Sequence, residues 1–305
     1  MAVSEPIRKP LAAYSGLPVT HASFDYFKEN EQTLVEKPYY FTGPLSPEQE
    51  SLRTNFGFEK HRHVPAHDLR DVLPSISLET HGLELDTRPS SLLQNLGDKN
   101  VRDQYLLEVA DYFKEKFLAE NVICYDIRFR KVSATDVSDS ADTVPEKSIV
   151  GTAEDPDAPA WAAHVDHTKD GGLRRTRRIL TDSESRYLSP DYRLRIVNLW
   201  RPLHGTVTDV PLAFCDPDSV EEADLIATDR PSAKRVGEVY NLKFNANQRW
   251  YWIRDMTEDE AALFISWDSE NQGVFPHAAF RIGYADPPRE SVEVRALVVT
   301  KRGEN

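Results

Sequence analysis

The chain has 305 residues, a formal net charge of −13 and a sequence pI near 5.2. This acidic balance argues against nucleic acid and anionic membrane surfaces as partners, and no apolar run in the sequence is long enough to cross a membrane. Hydrophobic residues make up 40% of the chain and aromatic residues 10%, which excludes a globally disordered protein and suffices for one large core.

The first residues and the cysteines bear on the cellular compartment. The segment that ends at Pro10 contains no apolar stretch of the kind found in secretory signals. Two cysteines, Cys124 and Cys215, are too few for a disulfide framework. We therefore expect a cytoplasmic protein.

Residues 1–60 are rich in proline and aromatic side chains and show no clear hydrophobic period. We interpret them as an extended N-terminal arm, and residues 61–305 as a single domain. Apolar side chains fall at three- and four-residue steps over 99–120, which predicts a helix with Asp98 as its N-cap. A polar loop rich in serine, aspartate and threonine is predicted over 132–157.

The second half of the chain is dominated by strand patterns. Short apolar segments bounded by turn residues recur at regular spacing, which predicts an all-β sandwich or barrel. Residues 239–244 are predicted to pair with 249–253, because Asn245 and Asn247 suit the turn between them. A short acidic helix is predicted around 219–226.

A basic segment lies between the two halves, with arginine at 174, 175, 177 and 178. A run of like charges most often forms the solvated face of a helix, and this is the preferred interpretation here. The alternative is that these guanidinium groups bind an anionic substrate, which would favour a substrate with a carboxylate.

The most informative stretch spans residues 161–168 and contains His164, Asp166 and His167. If it is a strand, His164 and Asp166 point to the same face, because successive side chains alternate. One imidazole and one carboxylate on a shared face are two thirds of a 2-His-1-carboxylate site, which holds Fe(II) and leaves coordination positions open. His167 is a rival ligand, although on a strand it faces away from Asp166.

The third ligand of such a site would have to come from a distant segment. His277 follows Pro276 and lies several strands downstream, where a jelly roll returns a strand to the side of an earlier one. A histidine in this position is more often structural when taken alone. Its pairing with the His-x-Asp pattern makes it the candidate for the third ligand.

Arg289 and Ser291 are two residues apart at the start of the apolar strand 292–299 and would share one face. A guanidinium group binds a carboxylate through two parallel hydrogen bonds, and a neighbouring hydroxyl adds another donor. The pair therefore predicts a site for an anionic group, with Arg295 and Arg201 as alternatives to Arg289.

Taken in this order, the motifs resemble those of Fe(II)- and 2-oxoglutarate-dependent oxygenases, and more narrowly the fungal gibberellin-desaturase and cephamycin-methoxylase-like group. The resemblance covers about residues 60 to 300. It is carried by these segments among others: His164-Val165-Asp166, Asn198-Leu199-Trp200-Arg201-Pro202-Leu203, Pro276-His277-Ala278-Ala279-Phe280 and Pro288-Arg289-Glu290-Ser291.

The resemblance implies a mainly β protein with flanking helices, folded as a distorted double-stranded β-helix of the cupin-like, jelly-roll type. It implies that His164, Asp166 and His277 bind Fe(II) and serve catalysis, and that Arg289 and Ser291 hold the distal carboxylate of 2-oxoglutarate. Such an enzyme uses O2, releases succinate and carbon dioxide, and hydroxylates, desaturates or cyclises a small organic substrate, here in secondary metabolism. An aspartate at 166 disfavours a halogenase, in which halide takes the carboxylate position.

Three further residues are predicted to line the substrate pocket, namely Asn198, Arg201 and Trp267, with purely structural roles as the alternative. Two other functions stay open at this point. One is a cupin-like metalloenzyme that does not use 2-oxoglutarate, and the other is a non-catalytic β-sandwich binding module. The sequence indicates neither the substrate nor the oligomeric state.

Overall fold

The computed structural model describes residues 9–133, 152–232, 235–270 and 273–303. These ranges contain thirteen strands: β1 (Val19–Lys28), β2 (Gly57–Asp68), β3 (Leu83–Thr87), β4 (Asn121–Lys131), β5 (His164–Val165), β6 (Tyr192–Pro202), β7 (Leu212–Cys215), β8 (Leu225–Pro231), β9 (Val236–Leu242), β10 (Trp250–Trp252), β11 (Glu260–Asp268), β12 (His277–Ala279) and β13 (Glu290–Lys301).

Three α-helices accompany the strands in the described ranges: α1 (Leu78–His81), α2 (Lys99–Lys116) and α3 (Lys169–Ile179). Short 3-10 helices cover Leu11–Ala13, Pro47–Leu52, Arg70–Ser75, Leu93–Asn95, Asp182–Leu188, Pro217–Ser219 and Glu222–Asp224. None of the helices in the described ranges is both long and apolar enough to span a membrane. Both cysteines are free thiols.

The strands form two sheets that pack face to face. The larger sheet has the order β1-β2-β10-β7-β12-β5-β9-β8, and the smaller has the order β3-β11-β6-β13-β4. Phe214 of the larger sheet meets Phe264 of the smaller one edge-on, with 5.2 Å between ring centroids, in a core that also buries Trp200. The prediction of a mainly β, jelly-roll fold with flanking helices is confirmed.

Helix α2 covers the outer face of the smaller sheet. The Asp98 carboxylate accepts hydrogen bonds from the backbone of Asn100 and Val101 at its start, as an N-cap should. Tyr105 and Phe113 are fully buried against the sheet. The predicted helix and its cap are confirmed, although the helix ends at Lys116 rather than at residue 120.

The predicted arm contributes a strand to the larger sheet. Strand β1 pairs antiparallel with β2 along most of its length, and its Ala22, Phe24 and Tyr26 side chains enter the core. Residue 60, the predicted boundary, lies inside β2. The division of the chain at that position stays a prediction, and residues 1–8 lie outside the described ranges.

The predicted hairpin of residues 239–244 and 249–253 is wrong. Strand β9 pairs with β8 and β5, whereas β10 pairs with β2 and β7. The indole of Trp250 stacks on Phe24 at 4.1 Å between centroids and is fully buried, so burial of this aromatic strand between distant partners overrides the local turn signal.

The segment around residue 220 is less helical than predicted. The predicted helix around 219–226 is a single 3-10 turn at Glu222–Asp224, after which the chain enters β8. The Glu221 and Asp224 side chains cap this one turn, and the apolar residues that follow pair as a strand instead of extending it. Most of the predicted polar loop, residues 134–151, lies outside the described residues.

Candidate active site

Strand pairing brings the predicted triad together. His164 on β5 and His277 on β12 are register partners, with 4.4 Å between ring centroids. Asp166 directly follows β5, and its carboxylate lies 3.5 Å from His164 Nε2 and 4.0 Å from His277 Nε2. All three ligand atoms lie within 4.8 Å of one another. Within the described ranges, this is the one group of three or more His, Cys, Asp or Glu side chains placed to hold a metal ion.

Both imidazoles present the same nitrogen to the centre of the group. His164 Nδ1 lies 2.8 Å from the Ala162 carbonyl oxygen, and His277 Nδ1 lies 3.0 Å from that of Phe275. A carbonyl oxygen only accepts, so each Nδ1 carries the proton and each Nε2 keeps a lone pair. This is the tautomer in which a histidine binds a metal through Nε2 while its other nitrogen is fixed by a backbone carbonyl.

Polar neighbours hold the Asp166 carboxylate through both of its oxygens. Arg295 Nη2 donates to Oδ1 at 2.7 Å, and Asn198 Nδ2 donates to Oδ2 at 2.6 Å. Ser266 Oγ donates to Asn198 Oδ1 at 2.9 Å, which fixes the orientation of the amide. Arg295 is held in turn by Glu293 at 2.7 Å. The carboxylate is therefore oriented by a connected network of buried side chains.

The protonation states suit metal binding. Burial would raise the pKa of Asp166, but the charge of Arg295 and the two histidines hold the pKa well below its ordinary range. Burial, followed by the nearby His164 ring, lowers the pKa of His277 to about 3. The carboxylate is thus ionised and His277 neutral near pH 7, the forms in which these side chains are ligands. Two imidazoles and one carboxylate fit Fe(II) with open positions.

His167, the rival ligand, lies outside the group of three. Its Nε2 is 3.4 Å from the Tyr125 hydroxyl, and its Nδ1 is buried with no hydrogen-bond partner among the described residues. The ring contributes to the wall of the large cavity described below. Burial lowers the pKa of His167 to about 4.

Arg289 lies beside the triad, and Ser291 is two residues further along the chain, at the start of β13. His164, His277 and Arg289 all line one small cavity of about 10 Å³. The Arg289 guanidinium lies 5.6 Å from the centroid of the Trp200 ring. Ser291 Oγ is buried and finds no hydrogen-bond partner in the described part of the chain. A buried hydroxyl in this state costs free energy unless a ligand completes it, so the pair fits an anionic group bound next to the triad.

The other predicted binding residues lie elsewhere. Arg295 pairs with Asp166, Glu293 and Asp126. Arg201 donates to the backbone carbonyls of Glu258 and Arg88 on the helix α2 side of the sheet and lines neither cavity.

Trp267, predicted in the substrate pocket, is also outside both cavities. Its indole Nε1 donates to the Lys169 carbonyl at 2.9 Å, and the ring packs under helix α3. Asn198 is near the centre, but it contacts Asp166 and is not among the residues that line the cavities. Of the three predicted substrate residues, the structure therefore brings only Asn198 to the site.

A large cavity of about 1040 Å³ opens from the triad, and His164, Asp166 and His167 form part of its wall. Arg130, Ala160, His164 and Arg295 line both cavities, so the two adjoin. Nine arginines line the large cavity: Arg53, Arg128, Arg130, Arg174, Arg175, Arg178, Arg230, Arg235 and Arg295. Four acidic residues do so: Glu50, Asp157, Asp166 and Glu238.

Sequence reasoning missed most of this lining. The basic run is more than a solvated helix face, because Arg174, Arg175 and Arg178 line the cavity. Arg128 and Arg130 on β4 were detectable, since residues two apart on a strand share one face. The cavity residues that come from the predicted arm, such as Tyr40 and Phe58, had no local signal.

The chain is similar to proteins of known activity along most of its length. It is 29% identical over 287 residues to the Fe(II)/2-oxoglutarate-dependent dioxygenase nvfI of Aspergillus novofumigatus, which covers 89% of this chain and 94% of that protein. It is 29% identical over 250 residues to the hydroxylase/desaturase efuI of Hormonema carpetanum, covering 77% of this chain and 82% of that protein. A solved structure titled iron and alpha-ketoglutarate-dependent endoperoxidase NvfI superposes with a TM-score of 0.75 at 26% identity, over 93% of this chain and 99% of that one.

Fold, site and relatives define an Fe(II)/2-oxoglutarate-dependent dioxygenase, whose iron, 2-oxoglutarate and O2 are cofactor and cosubstrates. The chain belongs to the family described as "Oxidoreductase/YMDC permease-like domain", whose model matches residues 24–299. The resemblance inferred from the His-x-Asp, distal His and Arg-x-Ser motifs is confirmed at the level of the enzyme class.

Proposed function

We propose that this dioxygenase modifies a small organic metabolite by hydroxylation, desaturation or oxidative ring closure, with His164, Asp166 and His277 as the iron ligands. The observation that carries the proposal is the convergence of the two Nε2 lone pairs and the Asp166 carboxylate next to a large cavity that His164 and Asp166 line. Relatives described as hydroxylase/desaturase and endoperoxidase support this range of outcomes. The proposal includes a role in secondary metabolism. The predicted cytoplasmic location stays a prediction.

The residues of the chain have separable roles in this proposal. When bound, Fe(II) and 2-oxoglutarate supply an oxidant that removes hydrogen from a substrate C–H bond. His164, Asp166 and His277 would hold the iron. Arg295 favours the ionised form of the aspartate, and Asn198, fixed by Ser266, orients it.

Arg289 and Ser291 are assigned to the distal carboxylate of 2-oxoglutarate. Arg289 faces the cavity that the two ligand histidines also line, and Ser291 offers a buried hydroxyl beside it. Arg295, the predicted alternative, is already paired with Asp166 and Glu293. A metalloenzyme without 2-oxoglutarate or a non-catalytic binding module would leave the buried Ser291 hydroxyl without a hydrogen-bond partner among the described residues.

Visible absorption spectroscopy tests the assignment. Wild-type protein is reconstituted anaerobically with Fe(II), and 2-oxoglutarate is then titrated in. A charge-transfer band should appear as the cosubstrate chelates the iron. His277→Ala should lose the band, whereas Arg289→Lys should shift the half-saturating 2-oxoglutarate concentration upward by about tenfold or more, because an ammonium cannot form the bidentate pair.

Matched controls separate these effects from a general loss of folding. His204 is exposed, and His204→Ala should leave the band intact. Arg302→Lys, at an exposed position, should leave the half-saturating concentration unchanged. Iron binding by the wild type without a band would refute the cosubstrate assignment, and a full band in His277→Ala would refute the ligand assignment.

A further inference from the structure

Asp209 lies in the connection between β6 and β7 and is almost fully buried, with 1% of its surface exposed. Backbone N–H groups from three segments of the chain donate to its oxygens. Val210 N donates to Oδ1 at 2.8 Å, and Arg289 N donates to Oδ2 at 2.9 Å. Ile282 N and Gly283 N both donate to its carbonyl oxygen, at 2.8 and 3.2 Å. One residue thus holds together segments that are distant in the sequence.

These hydrogen bonds clamp both ends of the connection between β12 and β13. Ile282 and Gly283 lie near the beginning of that connection, and Arg289 lies at its end. Strand β12 carries His277, proposed as an iron ligand, and Arg289 is the residue proposed to bind the distal carboxylate. Asp209 itself precedes β7, the strand that pairs with β12. It is therefore bonded to the main chain on both sides of the two binding functions.

The backbone of Arg289 depends on partners outside its own strand. Strand β13 begins at Glu290, so Arg289 lies one residue before it. Its N–H donates to Asp209 Oδ2, and its carbonyl oxygen accepts from Val132 N at 3.0 Å. With both backbone groups fixed, the guanidinium group starts from a defined position beside the small cavity that His277 also lines.

The connection passes very close to the segment that carries Asp209. A Cβ on Gly283 would lie 2.9 Å from the Thr208 carbonyl oxygen, closer than a side chain tolerates. The absence of a side chain at residue 283 is what allows its N–H group to reach the Asp209 carbonyl oxygen. The glycine and the aspartate thus serve the same contact.

The carboxylate suits this position better than other side chains would. Its two oxygens accept from two N–H groups in different segments, whereas an amide has one oxygen and would turn its own donors toward the second N–H. Burying a carboxylate costs free energy unless hydrogen bonds compensate it. We propose that Asp209 is a positioning residue for the cosubstrate, which sets the place of Arg289 relative to His277 and so raises the affinity for the distal carboxylate. This inference rests on the proposed function, because it takes Arg289 as the residue that binds 2-oxoglutarate.

Two keto acids of the same chain length test the proposal. 2-Oxoglutarate has a distal carboxylate, and 2-oxopentanoate has a methyl group in its place. Each is titrated into the anaerobic Fe(II)-loaded protein, and the charge-transfer band gives its half-saturating concentration. The ratio of the 2-oxopentanoate value to the 2-oxoglutarate value measures what the distal carboxylate contributes. A general distortion of the iron site would shift both values and leave the ratio unchanged.

Asp209→Ala should lower this ratio by about tenfold, the order of effect of removing a group that orients a binding side chain. The change should come from weaker 2-oxoglutarate binding, with the 2-oxopentanoate value nearly constant. Asp68→Ala is the matched control and should leave the ratio unchanged. Asp68 is also buried, at 3% exposure, and its Oδ1 also accepts two backbone hydrogen bonds, from Arg70 N and Arg254 N, but it lines neither cavity.

A milder variant keeps the test open if Asp209→Ala does not fold. Asp209→Asn has nearly the same shape but loses one acceptor, so it should lower the ratio by about threefold or more. An unchanged ratio in folded Asp209→Ala, or in Asp209→Asn if the alanine variant does not fold, would overturn the proposal. An equal fall in Asp68→Ala would overturn it too, because any buried carboxylate would then have the same effect.

The same titrations separate this inference from the proposed function. If the wild type shows no band with 2-oxoglutarate, or if Arg289→Lys leaves the ratio unchanged, the cosubstrate assignment itself is refuted. If Arg289→Lys lowers the ratio and the Asp209 variants do not, only the positioning role of Asp209 is refuted.

Discussion

Asn198 Nδ2 donates a hydrogen bond of 2.6 Å to Asp166 Oδ2, so a side chain predicted to face the substrate orients the carboxylate proposed as an iron ligand instead. Both groups are almost fully buried. The amide is itself fixed by Ser266 Oγ, which leaves it one orientation in which its nitrogen faces the carboxylate. Asn198 is thus a positioning residue for the triad.

Replacing Asn198 should weaken metal binding without abolishing it. We expect Asn198→Ala to raise the dissociation constant for Fe(II) by about 10- to 100-fold, the usual effect of losing a residue that orients a ligand. Co(II) should be affected in the same proportion, because it would use the same three side chains, and a Co(II) titration followed by visible absorption measures that change. Asn55→Ala is the control, since Asn55 is also buried but bonds to the backbone of Lys37 and Tyr39. Equal affinity of Asn198→Ala and wild type would contradict the positioning role.

Arg295 compensates the charge of two buried carboxylates and one partly buried carboxylate. It lies 2.7 Å from Asp166 and from Glu293, and 3.6 Å from Asp126. Arg295→Met should therefore lower the free energy of unfolding of the metal-free protein by about 3–5 kcal/mol, because buried charges lose their partner. Urea denaturation in a chelator measures the change.

A surface ion pair provides the comparison for this variant. Arg302 lies 3.2 Å from Glu270 and its side chain is 47% exposed, so Arg302→Met should cost no more than about 1 kcal/mol. Similar losses in the two variants would show that burial does not decide the contribution of Arg295.

Helix α3 packs against the Trp267 indole at Gly172. A Cβ on Gly172 would come within 2.0 Å of the Trp267 indole ring, well inside van der Waals contact. Gly172→Ala should therefore lower the free energy of unfolding by about 1–3 kcal/mol, the typical cost of overpacking. A Cβ on Gly97 would meet no atom within 4 Å, so Gly97→Ala should leave the free energy of unfolding nearly unchanged. Urea denaturation of both variants and the wild type measures the two changes.

The buried His167 makes stability depend on pH. Its pKa is lowered to about 4 in the folded protein by burial, whereas an unfolded histidine titrates near 6.5. Between these values the unfolded chain binds more protons, so the free energy of unfolding falls as the pH falls. This contribution is present at pH 7 and lost progressively toward pH 4.

The variant His167→Gln isolates the effect. Between pH 7 and pH 5, metal-free wild type should lose about 2 kcal/mol more of its free energy of unfolding than this variant, from 1.36 kcal/mol per unit of pKa shift. Urea denaturation at the two pH values gives both differences. The same pH dependence in wild type and variant would rule out a neutral buried His167.

The sequence predicted the parts of the site that depend on local alternation. His164 and Asp166 are two residues apart at the end of a strand, and Arg289 and Ser291 are two apart at the start of one. His277 required the jelly-roll connectivity, because its relation to His164 is a pairing between distant strands. The arginines of the large cavity come from elements that only the complete fold assembles.

Arg295, Arg201 and Trp267 lie away from the binding positions predicted for them, and each has a structural reason. Arg295 has the same strand parity as Arg289, so alternation could not separate them, and only the position along β13 does. Arg201 lies three residues from Asn198 on the regular strand β6, which puts it on the opposite face. The register of β11 shifts between Ile265 and Trp267, and an irregularity of this kind cannot be read from residue spacing.

The short lengths of strands β5 and β12 have a consequence for how easily the sheet opens locally. Strands β5 and β12, which carry the two histidines, have only two and three residues and lie next to each other within the eight-stranded sheet. Because so few backbone hydrogen bonds join β5 to β12, we expect the sheet to open locally between these two strands. An ion held by His164, His277 and Asp166 would stabilise the pairing of these strands, because a ligand that binds only the native state stabilises that state. Iron supply would then set resistance to proteolysis as well as turnover.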